Sequence, residues 1–142
     1  MIVYRMHRIG SGVFDTTGAF LFPGRWHFAG IRVVYAAEYA SLAALETLIH
    51  TDGKPVPNKS LTEIHLPDSI VIESSEWMEI GRSQRFGSDW ARSGRTAVLR
   101  VPSKAVNMME SNFLINPAHR EFGRIRSGPT TEFSFDSRFF GL

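Results

Sequence analysis

Alternation of side-chain character begins at the second residue. Ile2, Tyr4 and Met6 fall on one face of an extended segment, and Val3, Arg5 and His7 on the other, the period-two pattern of a strand. If the first face is core, Arg5 and His7 point the other way together. Similar short runs recur at residues 31–37, rich in β-branched side chains, at 61–66, which stops before Pro67, and at 70–73. Residues 96–101 are closed by Pro102, and residues 131–139 set Phe133, Phe135 and Phe139 against Ser134, Asp136 and Arg138. One segment breaks the pattern. Residues 38–50 place Leu42, Leu45, Leu48 and Ile49 in a helical stripe, with Gly53 and Pro55 just past the end. Residues 81–94 hold Trp90 and three arginines and read as a short helix or loop. Short strands with one or two helices in irregular order point to an α+β fold.

A chain of 142 residues is one domain with a substantial core, so residues 1–142 are expected to form a single unit. It has no cysteine, hence no disulfide framework and no thiol nucleophile, which suits a cytoplasmic protein. No apolar run approaches the roughly 20 residues of a membrane span, and no signal peptide opens the chain. A pI near 9.3 suggests nucleic acid, but the formal net charge is only +2 and the cations are scattered instead of forming a stripe. Direct nucleic-acid binding is therefore not expected. Thirteen of the 16 cations are arginine, the better fork for phosphate and carboxylate.

Gly24-Arg25-Trp26, Val33-Val34-Tyr35 and Leu45-Glu46 bring a cation after a turn, a ring in a strand and a carboxylate on a helix. An anionic glycosidic ligand such as a dinucleotide needs such a trio. Each member also has a plain structural reading. Arg25 can cap the Pro23-Gly24 turn, Tyr35 can be a core aromatic, and Glu46 can be a solvated helix residue, although it sits at the flank of the apolar stripe. Arg5 either faces solvent or reaches a polar cleft, and Ser103, after Pro102, can serve as a turn or N-cap residue. The five histidines show no metal-ligand spacing. Phosphate-loop, Rossmann and nucleophile-elbow patterns do not occur.

Tyr4-Arg5, Gly24-Arg25-Trp26, Val34-Tyr35-Ala36, Ala44-Leu45-Glu46, Val101-Pro102-Ser103, Asn116-Pro117 and the ending Phe135-Asp136-Ser137-Arg138 together resemble the RES domain, named for its Arg, Glu and Ser. Two departures stand beside Arg25: His27 where an Asn is common, and Pro23 where a second Gly is usual. The resemblance implies an ADP-ribosyltransferase-like fold, a split β-sheet core with an NAD+-binding cleft. It implies a toxin of a bacterial toxin–antitoxin pair that consumes NAD+ as substrate, without a metal, by hydrolysis or phosphorolysis of the nicotinamide–ribose bond. On the same footing, Arg5 and Arg25 would hold phosphates and ribose, Tyr35 would stack on nicotinamide, Glu46 would serve the nicotinamide ribose, and Ser103 would hydrogen-bond within the pocket.

The implied partner is an Xre-type helix-turn-helix antitoxin, with DNA reached only through it, inorganic phosphate a candidate acceptor, no membrane, and a homo-oligomer expected within the complex. Two alternatives remain open: transfer of ADP-ribose to a protein from the same pocket, and a non-catalytic module that only engages an antitoxin.

Overall fold

The computed structural model describes residues 1–141; Leu142, the last residue of the expected domain, lies outside the described residues. The chain forms β1 (Ile2–His7), α1 (Thr17–Leu21), β2 (Val34–Ala37) and α2 (Ala40–His50). It continues through β3 (Lys59–His65), β4 (Ile72–Ser74), α3 (Arg82–Ser93), β5 (Val98–Pro102), β6 (Ser111–Ile115) and β7 (Arg126–Phe133). Short 3-10 turns follow β5, at Lys104–Val106, and β7, at Ser137–Phe140. The described strands make a seven-stranded sheet in the order β4-β5-β6-β2-β1-β3-β7. All neighbours are antiparallel except β4 and β5. The fold is the α+β class that the alternation predicts.

The sheet has a weak seam. β1 pairs with β3 along its whole length, from Ile2–His65 to His7–Ser60. It meets β2 at a single register pair, Tyr4–Ala37. The sheet is thus nearly split into a β4-β5-β6-β2 half and a β1-β3-β7 half, and strands that part at a seam leave room between them.

Helices cover one face. α2 packs Leu42 and Ala43 over Ala37, Tyr4, Met6 and Leu61, while α3 brings Trp90 over Leu99, Val101, Leu114 and Val33. Burying an aromatic side chain of this size stabilises by roughly 2–3 kcal/mol. The Trp90 indole keeps a partner while buried, its Nε1–H donating to Thr96 Oγ1 at 2.7 Å. The opposite face packs Val3, Val34, Ala36, Ile64, Val98, Phe113 and Ile115 against the connecting loops.

Four sequence expectations change. Both faces of β1 are packed, Tyr4 and Met6 by α2 and Val3 by the opposite cluster, and the more deeply buried one carries Val3 and His7, not Ile2. In α2 the expected stripe does not stay together: Leu42 is fully buried, but Leu45 and Ile49 are exposed. Residues 81–94, open between a short helix and a loop, form a full helix of 12 residues, α3, whose buried residues Ser83, Gly87, Ser88 and Trp90 carry little hydrophobic signal. The closing strand ends at Phe133; Asp136 then accepts the Arg138 N–H at 2.9 Å and turns the chain out of the sheet.

Candidate active site

The seam opens on the helical face. Two adjoining cavities, of about 220 and 510 Å3, share Tyr35, Glu46, His50 and Asn112 on their walls. The larger lies within the span of about 300–1,000 Å3 usual for small-molecule sites.

Glu46 sits in the last two turns of α2. Its Oε1 accepts two hydrogen bonds, from Ser103 Oγ at 2.7 Å and from Asn112 Nδ2 at 2.8 Å. Both donors arrive by β-sheet geometry. Asn112 of β6 pairs with Ala37 on one side and Val101 on the other, which sets it on the α2 face, and Ser103 follows the last residue of β5. Because both bonds end on Oε1, Oε2 has no protein partner among the described residues. The carboxylate is thus held by one oxygen on the wall of both cavities.

Tyr35 projects from β2 beside it. Its hydroxyl accepts the Trp26 N–H at 3.2 Å and lies 2.7 Å from His27 Nδ1. The other ring nitrogen, His27 Nε2, faces two acceptors, the carbonyls of Ala19 at 2.8 Å and Phe22 at 3.1 Å. It must therefore carry the hydrogen, which leaves Nδ1 as an acceptor in the neutral ring, and Tyr35 donates to it. Burial pushes the Tyr35 hydroxyl well above its ordinary pKa. Gly24 is obligatory in this corner, since a Cβ there would stand 2.7 Å from the Tyr35 oxygen and 2.8 Å from the His27 ring.

Arg25 is fixed by α3. Its guanidinium donates to Ser83 Oγ and to the Met78 carbonyl, and Ser83 Oγ donates to the Arg25 carbonyl at 2.6 Å. Gln84 Nε2 donates to the Gly24 carbonyl at 2.9 Å, and Ser88 Oγ accepts the Phe28 N–H at 2.9 Å. The polar face of α3 thus clamps the whole turn from Gly24 to Phe28.

The structure therefore gathers Arg25, Tyr35, Glu46 and Ser103 around the larger cavity. Arg5 is placed elsewhere. It shares a face of β1 with Val3 and His7, away from Tyr4 and Met6, which line the smaller cavity. Arg5 Nη2 donates to the Asp15 carbonyl at 3.0 Å, while Nε and Nη1 are buried without a partner among the described residues. Burial pulls its pKa down to about 10, opposed by the charge of Asp15.

Asn112 and His27 were not singled out as site residues from sequence. The second had a signal, since it departs from the pattern after Gly24-Arg25-Trp26; the first had none, because a lone Asn in a five-residue strand is unremarkable until β6 is paired.

The RES domain family profile matches residues 2–136. The chain is 39% identical to the "Prs ADP-ribosylating toxin" of Sphingobium sp. (strain YBL2), with 85% of this chain and 83% of that protein covered. It is 32% identical to "Toxin Res" of Yersinia enterocolitica, over 97% and 99% of the two chains. In fold it is similar to a chain of the solved M. tuberculosis MbcT–MbcA toxin–antitoxin complex, with a TM-score of 0.77, 12% identity, and 94% and 84% covered.

Proposed function

The chain belongs to the RES domain family, and from that premise we propose that it is the toxin of a toxin–antitoxin pair that cleaves the nicotinamide–ribose bond of NAD+. The observation that supports this most is Glu46, with Oε1 tied to Ser103 and Asn112, on a cavity that Arg25 and Tyr35 also line.

The chemistry needs little else. Nicotinamide in NAD+ is cationic and leaves as a neutral ring with the electron pair of the broken C–N bond, so no general acid is required. Positive charge then spreads over ribose C1 and the ring oxygen, as in glycoside cleavage. The unpaired Glu46 oxygen stabilises that charge, and Tyr35, fixed through His27, holds the nicotinamide ring. Arg25 takes a phosphate. Arg5, expected to hold the same ligand, lies on the opposite face of β1 from this cavity and has no part in this chemistry. Water or inorganic phosphate then closes the ribosyl centre, and the proton released from the acceptor goes to solvent.

Glu46→Gln is expected to abolish NAD+ loss and growth arrest while the far-UV circular dichroism and Tm stay those of the parent. A folded Glu46→Gln chain with full NAD+ cleavage would sink the assignment. A second reading, transfer of ADP-ribose to a protein, is favoured by the name of the Sphingobium relative. Labelled NAD+ separates the two: free sugar product supports cleavage, and a stable label on one protein band supports transfer. The proposed cytoplasmic toxin would be restrained by an Xre-type antitoxin that blocks the cavity.

A further inference from the structure

Three segments far apart in sequence meet on one wall of the larger cavity: Arg25 after the first turn, Trp77 between β4 and α3, and Lys104 at the start of a 3-10 turn. The Trp77 ring lies 5.6 Å from the Arg25 guanidinium carbon and 5.4 Å from Lys104 Nζ. Neither cation forms an ion pair with a carboxylate among the described residues, although Arg92, Arg95, Arg100, Arg124 and Arg138 all do. Glu76 and Glu79, the chain neighbours of Trp77, pair with neither. The Trp77 Nε1–H is buried and has no acceptor.

Two like charges gathered on one indole repel each other, and attraction to the ring offsets that only in part. An orphaned N–H beside them adds a donor without a partner. Both defects have one remedy, a ligand that brings negative charge and several acceptor oxygens to the same wall. Glu46 is the carboxylate among the residues that line this cavity, so the site is bipolar, with a carboxylate at one part and paired cations at another.

We propose that Lys104 and Trp77 complete, with Arg25, a subsite for a diphosphate group. Arg25 holds one phosphate, Lys104 the next, and the Trp77 N–H turns onto a bridging or terminal oxygen when the ligand enters. The ligand class rests on the NAD+ reading above, but the anion site stands on its own geometry. It also orients a dinucleotide, since phosphates held at this wall direct the glycosidic bond toward Glu46.

The test is calorimetric titration of inorganic pyrophosphate into the chain carrying Glu46→Gln, which removes the proposed toxicity. Lys104 is exposed, so Lys104→Met should fold. It is expected to weaken pyrophosphate binding about tenfold, the loss of one charge-assisted contact. Trp77→Phe keeps a ring but removes the N–H and is expected to weaken binding severalfold. Arg32→Met is the control, since Arg32 stacks on Phe20 outside the cavity, and it should bind like the parent. Undiminished affinity in Lys104→Met overturns the subsite, and so does a parent chain with no saturable binding. Affinity kept in Trp77→Phe removes Trp77 from it. NAD+ cleavage by the unsubstituted chain without pyrophosphate binding would sink the subsite and leave the Glu46 reading; binding without cleavage would do the reverse.

Discussion

Glu46 owes its orientation to Asn112 and Ser103, two donors that reach it across 66 and 57 residues of chain. Hydrogen bonds to a charged group contribute about 1.5–3 kcal/mol. Asn112→Ala is therefore expected to lower kcat for the proposed NAD+ cleavage by about ten- to a hundredfold with the fold retained, as steady-state kinetics would show. His7 makes a prediction of another kind. Its Nε2 lies 2.7 Å from Thr62 Oγ1, which in turn lies 2.8 Å from Thr130 Oγ1. Burial lowers its pKa below the usual 6.5, with the charges of Arg5 and Lys59 acting in the same direction and hydrogen bonds from the Arg8–Ser11 turn opposing. The unfolded chain then binds a proton that the folded chain refuses, so stability falls as pH drops through about 6.5 toward the lower folded value. Tm should decline over that window, and His7→Gln should flatten the decline; an unchanged profile would exclude His7 as its source.

At the scale of elements, α1 and α3 do more for the site than their sequences suggest. α1 is short, and Phe20, Leu21 and the following Phe22 are exposed, yet the Ala19 and Phe22 carbonyls fix the His27 tautomer and, through it, the Tyr35 hydroxyl. An amide also has one donor end and one acceptor end. His27→Asn should thus keep KM for NAD+ close to the parent, whereas His27→Leu strands a buried hydroxyl and should raise KM roughly tenfold. Equal KM values in the two variants would remove His27 from the positioning of Tyr35. α3 approaches the Gly24–Phe28 turn so closely that a Cβ at Gly87 would fall 1.8 Å from the Trp26 carbonyl oxygen. Gly87→Ala must push the helix off that turn. It is expected to cost about 2–3 kcal/mol and lower Tm by roughly 10 °C, readable by thermal denaturation, with activity lost as Arg25 moves.

For the whole molecule, the two cavities lie beside the thin β1–β2 seam. Side chains of β1 and β2 on the α2 face line the smaller cavity, and β2, β6 and the β5 exit line the larger. A partner that restrains the proposed activity has a short route to do so by filling this opening. The purified complex with the antitoxin is accordingly expected to cleave NAD+ far more slowly than the free chain in a product assay; full activity in a stable complex would count against blockade of the cavity.

The strand and helix periods, the Pro and Gly stops and the order of Arg25, Tyr35, Glu46 and Ser103 were legible in the sequence, because each is a local pattern written in neighbouring residues. Periodicity also placed Val3, Arg5 and His7 on one face of β1. It could not say that this face lies opposite the cavity, since that depends on which side of the sheet α2 packs against. The same limit hid Asn112, whose direction is set by pairing with Ala37 and Val101, and the Arg25–Trp77–Lys104 wall, whose members are brought together only by packing. α3 was obscured for a different reason: a helix that buries Ser83, Gly87 and Ser88 against backbone shows no apolar stripe. Local chemistry thus determined which groups the protein carries, and long-range pairing decided which of them face one another.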